Sequence, residues 1–305
     1  MSVAADSLSL RHALLALAIV AVWGTNFVLI HIGLEHLPPL LFAALRFSCS
    51  LFPAVLFLKR PNVPWRNLAA YGILVGAGQF GLLFIAMRGQ MTPGLASLAI
   101  QTQVFFTIGL AMVLNGERVR TFQHVALMIT VAGLAVLVAH TDGSTTPLGL
   151  AIVLAAAACW AGSNIVVRST PNVDMVAYVV WASMFSIPPL LALSFAFEGW
   201  PAIRDGLANA DATTWAVVAW QAIGNTMFGY AMWGWLLSRY PVATVAPMAL
   251  LVPVFGITAS ALWLGEPLQD WKLQAAGLVM AGLALNLLWP KFVAARAAKP
   301  ATQPT

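Results

Sequence analysis

Ten runs of mainly apolar residues follow one another along the chain, and each is long enough to cross a lipid bilayer as a helix. A spanning helix needs about 20 such residues. The connections between the runs are short, and none of them has room for a soluble domain. The sequence therefore predicts an all-α polytopic membrane protein with ten transmembrane helices. The predicted helices cover residues 12–32, 39–58, 67–88, 94–114, 122–140, 148–168, 174–196, 213–237, 243–264 and 271–289.

The composition excludes a water-soluble fold. Only 8% of the 305 residues are charged and 61% are hydrophobic, whereas soluble domains carry roughly 25% charged residues. The net charge of +5 comes from basic residues in the short segments between apolar runs. Basic residues in such segments set the orientation of a membrane protein, so we expect a lipid bilayer and no nucleic acid as the partner.

The distribution of Lys and Arg predicts that both termini are cytoplasmic, because cytoplasmic segments carry an excess of these residues. With the N-terminus inside, eleven basic residues fall on the cytoplasmic side, three fall outside, and Arg46 lies within a helix. The cytoplasmic set is Arg11, Lys59, Arg60, Arg66, Arg118, Arg120, Arg168, Arg239, Lys291, Arg296 and Lys299, and the outer set is Arg88, Arg204 and Lys272. Termini on the same side require an even number of helices.

The two halves of the chain repeat one pattern. Gly76 and Gly81 match Gly224 and Gly229 at an offset of 148 residues. Further matches are Trp23-Gly24-Thr25-Asn26 with Trp160-Ala161-Gly162-Ser163-Asn164, Pro93 with Pro241, and Gly116-Glu117 with Gly265-Glu266. We therefore predict a first repeat at 12–140, a second repeat at 148–289 and a disordered cytoplasmic tail at 290–305.

Five helices per repeat is an odd number, so the two repeats cross the membrane in opposite directions. Inverted repeats of this kind place a solute site near the bilayer midplane, at the interface between the repeats. They also supply two mirror-related conformations. The pattern therefore favours a transporter over a receptor or a structural membrane protein.

Several motifs carry a family resemblance over residues 12–289. They are Val22-Trp23-Gly24-Thr25-Asn26-Phe27, Pro38-Pro39-Leu40, Ala44-Leu45-Arg46-Phe47, Pro93-Gly94-Leu95-Ala96-Ser97-Leu98, Gln101-Thr102-Gln103-Val104-Phe105-Phe106-Thr107, Gly116-Glu117-Arg118 and Gly265-Glu266-Pro267. In order and spacing the chain resembles the EamA family of the drug/metabolite transporter superfamily. The stretch from Pro93 to Thr107 is most similar to exporters of cysteine and O-acetylserine.

The resemblance implies a basket of helices around a central cavity in a bacterial inner membrane. It implies export of amino acids or derivatives such as cysteine or O-acetylserine. An exporter of drugs or of other metabolites is the alternative within the same superfamily. The oligomeric state is left open.

Polar residues within the first helix of each repeat are candidate solute ligands. Trp23 and Asn26 are three residues apart, and Trp160 and Asn164 are four apart. Either spacing puts both side chains on one face of a helix. An indole beside an amide suits a cavity wall, where the ring packs on the apolar part of a solute. Hydrogen bonding between neighbouring helices is the alternative role.

Glutamines in the third and fourth helices are further candidates. Gln79, Gln101 and Gln103 lie in the first repeat, and Met227 is the counterpart of Gln79 in the second. An asymmetric solute is expected to need such asymmetry. Because Gln101 and Gln103 are about 200° apart on a helix, they cannot both face one cavity.

The eighth helix adds an amide pair and a tyrosine. Gln221 and Asn225 share a face through their four-residue spacing, and Tyr230 lies further along the same helix. The predicted solute-binding set is therefore Trp23, Asn26, Arg46, Gln79, Gln101, Gln103, Trp160, Asn164, Asn225 and Tyr230.

Arg46 has two interpretations. It lies about 10 Å along its helix, at 1.5 Å per residue, and a cationic side chain in hydrocarbon is costly. It either binds the carboxylate of an amino-acid solute or ties its helix to backbone carbonyls or to Glu35. The matching segment Trp181-Ala182-Ser183 carries no charge, so the fold itself does not require an arginine there.

Other functional classes are disfavoured. The chain has no Walker A motif and no HExxH motif, and Cys49 and Cys159 lie in no CxxC or Cys/His cluster. These patterns predict no cofactor, no metal and no catalytic residues, and they leave a channel and an intramembrane enzyme as rival classes. All ten acidic residues fall in loops or at helix ends, where Glu117 and Glu266 are expected to be anchors. We therefore expect transport down the solute gradient, or coupling through an unusual group.

Overall fold

The structure, a computed structural model, describes residues 8–115, 120–140, 145–170, 173–240 and 242–297, and within these ranges it contains helices and no strands. In this part of the chain the helices form ten long runs. Their bounds are α1 (Leu10–Gly33), α2 (Pro39–Leu51), α3 (Trp65–Met87), α4 (93–115), α5 (Thr121–Ala139), α6 (Pro147–Arg168), α7 (Met175–Asn209), α8 (212–239), α9 (242–264) and α10 (Asp270–Ala297).

Nine of the helical runs within the described ranges are long and apolar enough to cross a membrane, with α2 counted as far as Leu56, through the 3₁₀ turn that follows it. The remaining run, α8, consists of three continuous segments of 9, 8 and 11 residues. At 1.5 Å per residue α8 is about 40 Å long, which is enough to span a bilayer. Its middle segment carries Gln221, Asn225 and Thr226, which lower its hydropathy. The predicted all-α fold with ten helices is confirmed.

Helix starts follow the local sequence. Proline at the first position, where its missing N–H is harmless, begins α2, α4 and α6. Asp174 caps α7 by accepting a 2.9 Å hydrogen bond from the backbone N–H of Val176. Asp211 caps α8 by accepting from the backbone N–H and the hydroxyl of Thr214, both at 2.7 Å. These bonds, the backbone one first, hold the pKa of the Asp211 carboxyl below its usual value.

Helix packing follows the pseudo-symmetry of the two repeats. The pairs are α1 with α8 and α9, α6 with α3 and α4, α2 with α7, and α5 with α10. If each helix is replaced by its counterpart in the other repeat, five helices away, the same set of pairs results. The helices therefore pack as two related five-helix units in which α1 and α6 each contact helices of the other repeat.

Small residues permit the closest crossings. A Cβ added to Gly24 in α1 would lie 2.5 Å from the carbonyl oxygen of Val252 in α9. A Cβ added to Gly282 in α10 would lie 2.6 Å from the carbonyl oxygen of Ala126 in α5. Both distances are shorter than a real contact allows, so glycine is required where these backbones meet.

Two wider, π-helical turns interrupt α3 and α8 at matching places. They cover Leu74–Gly81 in α3 and Gln221–Phe228 in α8, and their first residues are 147 positions apart. Short 3₁₀ segments likewise interrupt α4 at Ile100–Thr102 and α9 at Ala246–Leu251. Such irregular turns are often found at functional sites.

Three predicted boundaries are corrected by the structure. The α2 helix ends at Leu51, and a 3₁₀ turn follows at Ala54–Leu56, because Pro53 cannot continue the hydrogen-bond ladder. The α7 run continues to Asn209 after a bend at Gly199, whose φ is +79°. The α10 helix passes through Pro290 to Ala297, so the tail predicted as disordered from residue 290 is helical to that point. Residues 298–305 lie outside the described ranges.

One carboxylate links the two repeats at the ends of their second helices. Glu198, in a π-helical turn of α7, accepts hydrogen bonds from the backbone N–H groups of Leu40 at 2.6 Å and Leu41 at 3.1 Å. These N–H groups belong to the first turn of α2, where backbone N–H groups have no hydrogen-bond partner within the helix. The carboxylate therefore satisfies them and also complements the positive end of the α2 dipole.

Candidate functional site

Arg46 is the centre of the polar layer inside the helix bundle. Its side chain is 1% exposed, and its guanidinium carbon lies 3.6 Å from the centroid of the Phe80 ring in α3. One guanidinium nitrogen, Nη2, donates a long 3.4 Å hydrogen bond to the Thr226 hydroxyl in α8. The other two, Nε and Nη1, are buried without a hydrogen-bond partner. Arg46 therefore retains most of its hydrogen-bonding capacity.

No carboxylate lies within 4 Å of Arg46 in the part of the chain that the structure describes. Tyr71 of α3 and Tyr230 of α8 are the other polar groups that interact electrostatically with it. The polar contact of Arg46 is the Thr226 hydroxyl of α8, and Arg46 makes no hydrogen bond to Glu35 or to a backbone carbonyl within the described residues. Leaving buried donors unpaired costs about 1–3 kcal/mol each, so the arrangement favours an anion as the missing partner.

The α1 and α8 helices meet through the predicted amide and indole groups. Gln221 donates a 2.7 Å hydrogen bond from Nε2 to Oδ1 of Asn26, with both side chains buried. Trp23 donates from Nε1 to the backbone oxygen of Asn225 at 3.3 Å. The Trp23 ring also lies 5.9 Å from the ring of Tyr230. Trp23 and Asn26 therefore face α8 together, as their spacing predicts.

A second polar cluster joins α4 to α6. Asn164 donates from Nδ2 to Oε1 of Gln103 at 2.8 Å, and a 3.4 Å bond reaches the Thr107 hydroxyl. Gln101 is buried in the 3₁₀ segment one turn earlier. Trp160 is half-buried and packs against the apolar core. Gln103 and Asn164 are the predicted site residues that this cluster joins, and the hydrogen bonds of the cluster do not include Arg46.

Two buried glutamines leave acceptor atoms unused. Oε1 of Gln79 in α3 and Oε1 of Gln221 in α8 have no hydrogen-bond partner. Both glutamines lie in the matching π-helical turns. The unpaired acceptors therefore occur in two turns whose other residues, Phe80 and Thr226, contact Arg46.

The structure brings Trp23, Asn26, Arg46, Asn225 and Tyr230 into one connected region, and Gln79 adjoins it as the chain neighbour of Phe80. Sequence reasoning missed Tyr71, Phe80 and Thr226. A mid-helix tyrosine was the available signal for Tyr71. No signal identified Phe80, because its role depends on the cation beside it.

The helix-end glutamates are largely separate from this layer. Glu266 accepts a 3.2 Å hydrogen bond from Nζ of Lys272 and a further bond from the Ser260 hydroxyl. This ion pair is buried, with the two side chains 4% and 9% exposed, and it joins the end of α9 to the start of α10. Glu266 thus ties two helix ends together, whereas Glu117 lies outside the described residues.

A ten-helix membrane bundle with a buried arginine and unpaired amides in its interior is consistent with a multi-pass membrane transporter of small solutes. The profile of the EamA-like transporter family matches residues 10–139 and 147–288. The chain belongs to the EamA-like transporter family.

Several relatives cover most of the chain. A protein of Salmonella typhimurium LT2 described as "Probable amino-acid metabolite efflux pump" is 41% identical, over 92% of this chain and 96% of the relative. A protein of Escherichia coli K12 with the same description is 38% identical, over 94% and 99%. A "Probable terminal-alkyne amino-acid exporter" of Streptantibioticus cattleyicolor is 25% identical, over 91% and 94%.

A solved crystal structure has the same fold. It superposes with a TM-score of 0.62 at 19% identity, and the match covers 97% of this chain and 100% of the other. At this identity the comparison supports the fold alone.

Proposed function

We propose that this protein is a secondary transporter that exports amino acids or their derivatives, such as cysteine or O-acetylserine, across a bacterial inner membrane. The descriptions of the full-length relatives support this substrate class. The observation that carries the proposal is Arg46, a buried guanidinium with two unpaired nitrogens and no carboxylate nearby. A solute carboxylate supplies the hydrogen-bond acceptors and the negative charge that Arg46 lacks. The planar guanidinium binds a carboxylate through two parallel hydrogen bonds.

The proposed site is the layer between α1, α2, α3 and α8. Arg46 takes the carboxylate, while Trp23 and Tyr230 pack on the apolar part of the solute and Asn225 lines the wall. The opposite wall forms where α4 of the first repeat meets α6 of the second, with Trp160, Asn164 and one of Gln101 and Gln103. Alternating access then arises as groups of helices related by the inverted repeats rock against each other, with both termini cytoplasmic.

Arg46 also favours one of the two candidate substrate classes, amino acids and drugs, over the other. A cationic drug would be repelled by a buried, uncompensated guanidinium, so amino-acid export is favoured over export of cationic drugs. A channel would conduct without saturation. An enzyme would convert its substrate in detergent, where no membrane separates two compartments.

The test is uptake into inside-out vesicles or proteoliposomes containing the purified protein. The panel comprises radiolabelled cysteine and O-acetyl-L-serine, a cationic dye and an uncharged sugar. We expect saturable uptake of the two amino acids only. Uptake of the dye alone, or linear uptake without saturation, would overturn the proposal. The control is the same protein with Arg46→Ala, in liposomes matched for protein content.

A further inference from the structure

Gln79 and Gln221 each present a buried amide oxygen that no group in the described protein binds. Gln79 is 4% exposed and Gln221 is 0% exposed, and Oε1 of each lacks a donor. On Gln221 the amide is also oriented, because its Nε2 donates to Asn26 at 2.7 Å. Buried polar atoms normally find a partner, so two such oxygens in one layer require an explanation.

The two π-helical turns that carry the glutamines lie on either side of Arg46, one in α3 and one in α8. Phe80, the residue after Gln79, stacks on the guanidinium from α3 at 3.6 Å. In α8, the Thr226 hydroxyl accepts a hydrogen bond from Arg46. The same hydroxyl donates a 2.8 Å hydrogen bond to the backbone oxygen of Gln221. Unpaired donors on the arginine therefore lie between two turns that carry unpaired acceptors.

We propose that Gln79 and Gln221 bind the ammonium group of the solute whose carboxylate sits on Arg46, so that the site selects zwitterionic amino acids. This inference rests on the proposed function and assigns its specificity to two residues. An ammonium group has three donors and no acceptor, which matches amide oxygens that lack donors. In an α-amino acid the ammonium and the carboxylate are attached to one carbon, so one small molecule can bridge the arginine and the glutamines.

Neutral acceptors suit this position better than acidic ones. A carboxylate at residue 79 or 221 would be free to pair with Arg46 and so occupy the groups that the solute needs. An amide oxygen accepts a hydrogen bond from an ammonium group but carries no charge with which to neutralise the arginine. The Trp23 and Tyr230 rings, 5.9 Å apart beside the same turn of α8, add faces that attract a cation.

Two isomers test the ammonium site directly. O-acetyl-L-serine carries a free ammonium group, whereas N-acetyl-L-serine has the same atoms but an uncharged amide nitrogen. Both keep the carboxylate. Competition by each isomer against labelled cysteine is measured in proteoliposomes in mildly acidic buffer, where the protonated amine resists O-to-N acyl transfer. We expect N-acetyl-L-serine to compete at least about tenfold more weakly, a difference of about 1.4 kcal/mol.

Variants then assign the effect to residues. Gln79→Met, which introduces the residue found at the repeat counterpart Met227, and Gln221→Met should weaken O-acetyl-L-serine about tenfold and leave N-acetyl-L-serine almost unchanged. Arg46→Lys should weaken both isomers alike. Asn286→Leu is the matched control, because it removes another buried, unpaired amide oxygen in α10, and it should change neither value.

The outcomes separate this inference from the proposed function. Equal competition by the two isomers on the unmodified protein overturns the ammonium site but leaves amino-acid export standing, and this comparison does not depend on any variant folding. Equal losses for both isomers in the glutamine variants also overturn it. If neither cysteine nor either isomer is bound, the proposed function fails, and the ammonium site fails with it.

Discussion

The guanidinium carbon of Arg46 in α2 lies 3.6 Å from the centroid of the Phe80 ring in α3. An arginine over an aromatic face is attracted by the ring's quadrupole, and the attraction reaches about 2 kcal/mol or more in a desolvated site. Unlike an ion pair, this contact leaves the edge of the guanidinium plane open. Phe80 can therefore hold the guanidinium in place while the N–H groups of Arg46 stay available for a solute.

Replacing Arg46 with lysine should lower transport affinity without unfolding the protein. Lysine keeps the charge but cannot form two parallel hydrogen bonds to a carboxylate. We expect the apparent affinity for O-acetyl-L-serine to fall about tenfold, or about 1.4 kcal/mol, with expression and melting temperature in detergent nearly unchanged. The control is Arg60→Lys, which alters a guanidinium lying 4.1 Å from the Trp65 ring outside the site. A loss of yield in Arg46→Ala together with unchanged affinity would indicate a structural role instead.

Phe80→Leu should destabilise the protein more than Phe84→Leu does. Both substitutions remove a buried ring from α3, and the Phe84 ring lies 4.9 Å from that of Phe42. Only the first also removes the ring beneath Arg46, so we expect an additional loss of about 1–2 kcal/mol. Thermal unfolding in one detergent, followed by fluorescence, measures the difference. Equal losses would show that the ring contributes packing alone.

Stability at the start of α8 should depend on acidic pH through Asp211. Because the fold lowers the pKa of this carboxyl, its stabilising effect is fully present above the ordinary value of about 3.9 and is lost as pH falls through the lowered pKa. Asp211→Asn keeps a capping oxygen but cannot titrate, so its melting temperature should change less below about pH 4 than that of the parent. Parallel pH profiles for the two proteins would contradict this assignment.

Reporter fusions should place both termini in the cytoplasm. A fusion at the C-terminal tail and one near Asn62 should give cytoplasmic signals, and fusions near Asp142 and Gly206 should give periplasmic ones. The expected orientation follows from the excess of basic residues on one side. A periplasmic C-terminus would contradict both the even number of helices and the inverted arrangement.

Transport should run down the solute gradient. The buried acidic groups in the described ranges lie at helix ends: Glu198 accepts from the first N–H groups of α2, and Glu266 pairs with Lys272. Many proton-coupled carriers use a carboxylate at membrane depth. Proteoliposomes with equal solute on both sides should therefore accumulate nothing when only a pH gradient is imposed. Accumulation that an uncoupler abolishes would refute this prediction.

The sequence predicted the helices well because long apolar runs leave few alternatives in a bilayer. It placed α1, α5 and α6 within a few residues of their ends. It ended α7 too early, because Glu198, Gly199 and Pro201 read as a loop, although the chain bends at Gly199 and resumes a helix. Helix-breaking residues can be tolerated in membranes where neighbouring groups satisfy the backbone.

The site was only partly predictable. Spacing alone indicated that Trp23 and Asn26 share a face, and both contact α8. Spacing could not indicate that Arg46 meets Phe80, because this contact depends on how α2 and α3 pack. The π-helical turns that present Gln79 and Gln221 were also not predictable, since they change the register of side chains without a distinct residue pattern.

The hydrogen bonds from Leu40 and Leu41 to Glu198 have a mechanical consequence. They fasten the first turn of α2, a helix of one repeat, to α7, a helix of the other, and the two helices also pack along their length. Arg46 lies less than two turns further along α2, so its depth in the bilayer depends on the position of α7. We therefore expect α2 to move together with α7 during transport and to carry Arg46 with it, so that the moving bodies do not coincide with the two halves of the sequence.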